Sequence, residues 1–291
     1  MSDIECVVDC QNTLGEGPAW SVDEQKLYWV DIEKSELRSY DPETKDIQVW
    51  QTPERIGSFA FREQGGLLVA FESGIDFWDP GSSQTQRIHQ FEPDNSTTRT
   101  NDGRCDRQGR FIVGDMNEAD NGDPISNVYR LNTDLSMHQI ISSVTCANST
   151  CFSPDGTIMY FADTPTGQIW AYDYDTDTGA VANRRVFADF ADQPGIPDGS
   201  IVDAEGFLWN AQWNGFRVVR YRPDGTIDRI IDMPVMNPTC VAFGGKDLDV
   251  LYVTTARYLM TPQQIEAEPL SGGLFAVKVD VKGLNEPKFC G

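Results

Sequence analysis

The sequence predicts an all-β chain, a six-bladed β-propeller formed as a single domain over residues 1–291, and three observations predict it. A turn followed by a short apolar strand recurs six times, anchored on Leu27, Leu67, Phe111, Ile158, Leu208 and Leu251, with gaps of 40, 44, 47, 50 and 43 residues. A period near 45 residues suits a propeller blade of about four strands. Each anchor is followed by a second segment of alternating apolar and polar residues, and each is preceded by a strand whose residues align in register from copy to copy.

The first blade opens with Trp20-Ser21 and the turn Asp23-Glu-Gln-Lys-Leu-Tyr-Trp, then continues as Leu37-Arg-Ser-Tyr-Asp-Pro. The second carries Arg62-Glu-Gln-Gly-Gly-Leu-Leu and Ile75-Asp-Phe-Trp-Asp-Pro; the third, Asp106-Arg-Gln-Gly-Arg-Phe-Ile and Val128-Tyr-Arg-Leu-Asn. The fourth has Ser153-Pro-Asp-Gly-Thr-Ile-Met and Ile169-Trp-Ala-Tyr-Asp; the fifth, Asp203-Ala-Glu-Gly-Phe-Leu-Trp and Val218-Val-Arg-Tyr-Arg-Pro-Asp-Gly. The sixth has Gly244-Gly-Lys-Asp-Leu-Asp-Val-Leu and Leu274-Phe-Ala-Val-Lys-Val-Asp. Period-two alternation closed by Asp-Pro or Asp-Gly is what a half-buried strand entering a hairpin requires. Six copies fill the chain and leave no room for a second domain. A ring must also close, or its first and last blades expose strand edges. Ile4 to Asp9 reads as a strand without a blade, and the sixth blade is short after Leu274, so the N-terminal strand is expected to pair into the last blade. A β-sandwich is the alternative, although sandwiches rarely keep so regular a period.

Composition narrows the partners. With 40% hydrophobic residues the chain can build a sizeable core, and 23 Lys+Arg against 45 Asp+Glu give a net charge of −22. Nucleic acids and anionic membrane surfaces reward clustered positive charge, so neither is expected as a partner. The acidic residues are spread out and read as a solvated surface; only seven cations are lysine, which fits a saline habitat without establishing one. No stretch of about 18 apolar residues appears. The acidic N-terminal segment lacks the features of a secretory signal. Seven cysteines, without C-x-x-C spacing, read as reduced thiols and point to the cytoplasm. The Asn-Ser-Thr runs at Asn95 and Asn148 are discounted as glycan acceptors on the same ground.

Register leads to the site. Four positions before the aligned column lie Glu16, Gly57, Asn101, Asn148, Asp198 and Thr239. The first strand of a propeller blade lines the central channel, so these six should ring the axis. Two carboxylates and two amides converging there repel one another or go unsatisfied unless a cation or ordered water sits among them. An oxygen-only set suits a hard divalent cation such as Ca²⁺, Mg²⁺ or Mn²⁺; a ring bridged by water is the other reading.

The residues around this column strongly resemble the SMP-30/gluconolactonase/luciferin-regenerating family of six-bladed propellers. The resemblance rests on Leu14-Gly15-Glu16-Gly17-Pro18, Arg99-Thr100-Asn101-Asp102-Gly103 and Pro197-Asp198-Gly199. It extends through Tyr28-Trp29-Val30-Asp31, Ser153-Pro154-Asp155-Gly156 and Gly272-Gly273-Leu274-Phe275. Each piece is weak alone; their order and placement on equivalent blades make the set specific. The chain looks most like the bacterial sugar lactonases acting on xylonolactone and related aldonolactones, a likeness that Thr254-Thr255-Ala256-Arg257 supports. The resemblance implies metal ligands at Glu16, Asn148 and Asp198, and substrate contacts from Arg99, Asn101 and Glu118. It also implies a single divalent ion, which in this family is Ca²⁺, Zn²⁺, Mn²⁺, Mg²⁺ or Fe²⁺, and a small sugar lactone as substrate. The chain departs at two places: Ser149 follows Asn148 where many members have glycine, leaving open whether the backbone there is the same, and Asp115 replaces a threonine ahead of Glu118.

On this reading the ion polarises the lactone carbonyl and activates water, Asp198 also receives a proton from that water, and Arg99 and Asn101 orient sugar hydroxyls. A monomer or weak oligomer is expected. Competing classes fare worse. A Ser-His-Asp hydrolase has only His89 and His138 to draw on, both on outer strands, and no G-x-S-x-G. Gly15-Glu16-Gly17 completes no G-x-G-x-x-G. Asp173 to Gly179 imitates a calcium loop but lacks its sixth-place glycine and reads as a hairpin turn. Cys146 and Cys151 flank Asn148, but core packing is the commoner fate of such thiols. Two wider alternatives stand: a metal-dependent aryl-ester or organophosphate hydrolase on the same scaffold, and a non-enzymatic calcium-binding propeller.

Overall fold

In a computed structural model, residues 4–93, 95, 97–119 and 121–291 are described. They form six four-stranded antiparallel sheets, each running in sequence order from an inner to an outer strand, except the last. The inner strands are Gly15–Ser21, Ile56–Phe61, Thr98–Cys105, Ala147–Phe152, Ile196–Val202 and Pro238–Gly244, defining blades one to six. Every repeat anchor lies in the second strand of its blade, and every member of the polar column lies on an inner strand. In the sixth blade the outer strand is Glu5–Val8, paired with Leu274–Lys278. The ring therefore closes as expected, and no blade is left with an open seam.

The turn chemistry shows why the repeats fold this way. In the third blade Asp106 Oδ1 accepts the Gln108 and Arg110 amides, at 3.0 and 2.9 Å, while Arg110 Nε donates to Oδ2. Asp203 does the same in the fifth, taking the Glu205 and Phe207 amides and the side chains of Trp209 and Arg220. An aspartate that caps its own turn replaces hydrogen bonds the backbone would otherwise lack.

The apolar faces pack between blades. Ile201, Trp209 and Val218 of the fifth blade meet Val241, Val253 and Phe275 of the sixth in one buried cluster. Across the closure, Trp20 stacks on Tyr252 with ring centroids 5.8 Å apart. Trp29 and Trp209 are both fully buried, and each such side chain contributes roughly 2–3 kcal/mol of transfer free energy. The outer strands, by contrast, leave Ile47, Val49, Val186 and Ile227 exposed.

Past Lys278 the chain crosses the channel mouth at the end where the inner strands finish. Val279 and Val281 pack on the fifth and sixth blades. The Gly283 amide reaches Leu248, the Phe289 amide reaches Phe61, and the Cys290 amide reaches Gly109. Phe289 is completely buried. The opposite mouth, where the inner strands begin, carries a longer connection, residues 256–273, with the short helix Pro262–Ala267 capped by Thr261 and Gln264. No helix among the described residues is long and apolar enough to cross a membrane. The seven cysteines are free thiols.

Candidate functional site

All six inner strands slip register by one residue at the polar column. The shift falls between Glu16 and Ala19, Ile56 and Ser58, Thr100 and Gly103, Asn148 and Cys151, Pro197 and Ser200, and Pro238 and Cys240. A bulge inserts one unpaired residue and re-aims the side chains around it. Strict alternation would send Asn101 and Asp102 to opposite faces. With the bulge, Asn101 reaches Asn148, while the charge of Asp102 is felt at both Glu16 and Asp198.

The residue after a site side chain takes the left-handed conformation in two blades: Gly17 has φ +53° and Ser149 φ +58°. Ser149 thus holds a left-handed conformation more usual for glycine. Its hydroxyl donates to the Asp198 carbonyl and accepts from Ser200 Oγ at 3.0 Å. These bonds offset the strain that a side chain meets at positive φ and tie the fourth blade to the fifth. Gly199 answers a different need, close approach: a Cβ there would lie 2.2 Å from Cys240 Sγ.

Asp198, Asn148, Asn101 and Arg99 are all at least nine-tenths buried, and Glu16 is partly open to the channel. Asn148 Nδ2 donates to Thr164 Oγ1 at 2.8 Å, which in turn donates to the Pro197 carbonyl at 2.9 Å. The carboxamide is therefore held with its nitrogen occupied and its oxygen presented. Asn101 is oriented differently. Its nitrogen donates to the Ala147 carbonyl at 2.9 Å and to Asn148 Oδ1 at 3.3 Å, while its oxygen accepts from Arg99 at 2.9 Å. Arg99 Nε reaches Glu118 at 2.9 Å. Glu118, on the rim, is also gripped by both terminal nitrogens of Arg55, at 2.7 and 2.8 Å. These bonds and the charge of Arg99 outweigh partial burial and hold Glu118 below the usual carboxylate range.

The hub carboxylates behave oppositely. Burial, then the like charge of Asp102, pushes Glu16 up to about 8. Burial, then Glu16 and Asp102, pushes Asp198 well above its ordinary value. Among the described residues neither makes an ion pair with Lys, Arg or His. Two facing carboxyls in that setting must share a proton or meet a cation. Among the described residues no group of three or more His, Cys, Asp or Glu is placed to hold a metal ion by itself; the candidate centre is two carboxylates and an amide oxygen, a hard donor set that fits a divalent ion with positions left for water or substrate. Cys146 approaches Asn101 and Asn148 only through long contacts, at 3.8 and 3.7 Å. Burial and the Asp198 charge push its thiol up to about 12, which disfavours a thiolate ligand.

The structure thus brings together Glu16, Asn148 and Asp198, and beside them Arg99, Asn101 and Glu118. Sequence reasoning missed Asp102, Thr164 and Arg55. Asp102 stood inside a quoted motif, but alternation masks it; Thr164 and Arg55 carry no signal at sequence level. The remaining candidates fall away from the hub. His89 and His138 lie on the outermost strands Thr85–Gln90 and Met137–Val144. Asp175 Oδ1 is occupied by the Asp177 and Thr178 amides in a hairpin turn. Cys151 packs among Tyr160, Val202 and Leu208.

The profile described as the SMP-30/Gluconolactonase/LRE-like region matches residues 14–257. An L-arabinolactonase of Azospirillum brasilense is 41% identical over 288 residues, covering 98% of this chain and 95% of that protein. A 6-deoxy-6-sulfogluconolactonase of Pseudomonas putida is 38% identical, with 99% of each chain covered. Among solved structures, a calcium-binding protein of Agrobacterium tumefaciens, regucalcin, superposes with a TM-score of 0.94 at 29% identity, covering 99% of this chain and 97% of that one.

Proposed function

The chain belongs to the SMP-30/gluconolactonase/LRE-like family, and on that premise we propose that it hydrolyses a sugar lactone to the open-chain aldonic acid with one divalent cation at the hub. One observation carries the reading: Glu16 and Asp198, brought from two blades into a desolvated channel, face each other with no ion pair to either among the described residues, beside an Asn148 oxygen that Thr164 orients and that accepts from Asn101 at 3.3 Å. The lactonases among its relatives support the substrate class. Glu16, Asn148 and Asp198 would hold the ion. When bound, a divalent cation supplies polarisation of a carbonyl oxygen and acidification of a ligated water.

The chain's own groups account for the rest. Asp198 accepts the proton released as water oxygen bonds to the lactone carbonyl carbon. The carbon–ring oxygen bond then breaks, and the ring oxygen leaves as a hydroxyl on taking that proton back from Asp198. Arg99 spends Nε on Glu118 and Nη1 on Thr100 and Asn101. Its Nη2 has no protein acceptor among the described residues and is available to a sugar hydroxyl. Glu118, held by Arg55, keeps that guanidinium in place. The free thiols support a reducing, cytoplasmic setting, and the closed ring is compatible with a monomer or weak oligomer.

The test strips the protein with a chelator, restores Ca²⁺, Mg²⁺, Mn²⁺, Zn²⁺ or Fe²⁺ singly, and measures acid release from a panel of five- and six-membered pentono- and hexonolactones. Turnover that appears only with an ion is expected. Turnover unaffected by stripping, or none with any ion, overturns the proposal. Tight Ca²⁺ binding without turnover of any ester replaces it with a calcium-binding role, and preference for aryl or phosphate esters replaces the substrate class.

A further inference from the structure

Arg104 stands at the end of the third inner strand, beneath the hub, and its side chain is only 12% exposed. Nε donates to the Thr150 carbonyl at 3.1 Å and Nη2 to the Ser200 carbonyl at 3.2 Å. Each acceptor lies two residues past a hub side chain, Asn148 and Asp198 respectively: Thr150 within the bulge that aims Asn148, and Ser200 as the residue that closes the bulge aiming Asp198. One guanidinium thus joins the inner strands of three blades at the two places where backbone register decides where Asn148 and Asp198 point. The same strand contributes Asp102, whose Oδ2 accepts the Thr150 amide at 2.7 Å.

A buried cation needs a counter-charge on a fixed support. Glu286 provides one from the segment that crosses the far mouth, 3.3 Å from Arg104 and 3.1 Å from Arg107. Arg107 in turn donates to the Ser153 and Phe152 carbonyls, where the fourth inner strand ends. Glu286 is itself held between Gly283, bonded to Leu248, and the buried Phe289, bonded to Phe61. Without it, the carboxylate whose charge Arg104 still feels is Asp102, on the hub side; a guanidinium drawn there would leave the Thr150 and Ser200 carbonyls.

We infer that Arg104, anchored by Glu286, is a positioning residue that fixes the spacing of Asn148 and Asp198 from below, so that the crossing segment is part of the site's framework. The inference rests on the proposed role of those two residues as ligands. Its test compares the wild type with Glu286→Gln, Glu286→Ala and, as a control on the same segment, Lys288→Ala. Three quantities are read: divalent-cation affinity by calorimetry, hydrogen exchange of Ala147–Phe152 and Ile196–Val202 in the metal-free protein, and kcat and KM on the best lactone. For both Glu286 variants the expectation is a Kd raised at least threefold, faster exchange in both inner strands, and kcat lowered about tenfold with KM within twofold. Lys288→Ala should match the wild type. Unchanged Kd and inner-strand exchange, with faster exchange confined to the anchors at Phe61, Gly109 and Leu248, would overturn it. An inactive wild type would sink the lactonase reading instead, while affinity and exchange would still decide this one.

Discussion

Blades two and six share the bulge of the other four but put different chemistry on it. In blades one, three, four and five the column holds Glu16, Asn101, Asn148 and Asp198. In blade two it holds Gly57, where an added Cβ would lie 2.5 Å from the Thr100 carbonyl oxygen. In blade six it holds Thr239, whose hydroxyl is taken up by the Gly15 carbonyl at 2.5 Å and by Thr254 at 2.8 Å. Two positions on the ring therefore serve the joints between blades, and four serve the channel. The bulge belongs to the scaffold; on the proposed function, the side chain placed on it decides whether that blade takes part in chemistry.

The hardest test of that division is Asp198→Ala. It should cut kcat/KM by about 10³-fold or more with an unchanged circular dichroism spectrum, and near wild-type turnover would erase the distinction between the two sets of blades. Arg99→Ala comes next. Losing a charged donor to substrate should lower kcat/KM roughly 10- to 100-fold and leave the cation Kd, measured by calorimetry, nearly unchanged; a large rise in Kd would move Arg99 from the substrate to the ion.

Asp115 sharpens the comparison from within the third blade, off the column. It is wholly buried, takes the Asn127 amide on one oxygen and has no hydrogen-bond partner for the other among the described residues. Burial, then the neighbouring Glu92 charge, raises it to about 8. The folded protein keeps this proton up to about pH 8, whereas the unfolded chain releases it near pH 4. Stability is therefore lost as pH rises through that window and levels off above it. Asp115→Asn should flatten the slope, matching the wild type at pH 4 and gaining about 1–3 kcal/mol at pH 8 in denaturant unfolding; parallel curves would disprove it. The smallest effect belongs to Thr239→Val. It should cost about 1 kcal/mol of unfolding free energy and leave kcat alone; a tenfold loss of kcat would bring the sixth blade into the site.

How far the sequence reaches follows from the physics of each feature. Repeated turns and alternating strands are local, so the six blades, the closure by Glu5–Val8 and the membership of the polar column were all legible. A bulge is a backbone event that Gly17 and Ser149 accommodate equally, and no spacing rule announces it. That is why Asp102, adjacent to Asn101, escaped notice. Contacts such as Arg104 with Glu286 or Arg55 with Glu118 join charges far apart in the chain, and among many charged residues nothing local selects the partner. Conversely, Glu118 was reached through the resemblance despite the unusual Asp115 before it; the structure places its carboxylate against Arg99.

Glu5–Val8 completes a sheet whose other three strands come from the opposite end of the sequence. During synthesis this segment leaves the ribosome before everything it will pair with, and it must stay unpaired until Leu274–Lys278 emerges. Closing so long a loop is entropically slow. The nascent protein therefore spends most of its translation time as an open arc with two sticky rims, a period in which chaperone protection counts most and wrong pairing with a neighbouring nascent chain is the chief hazard.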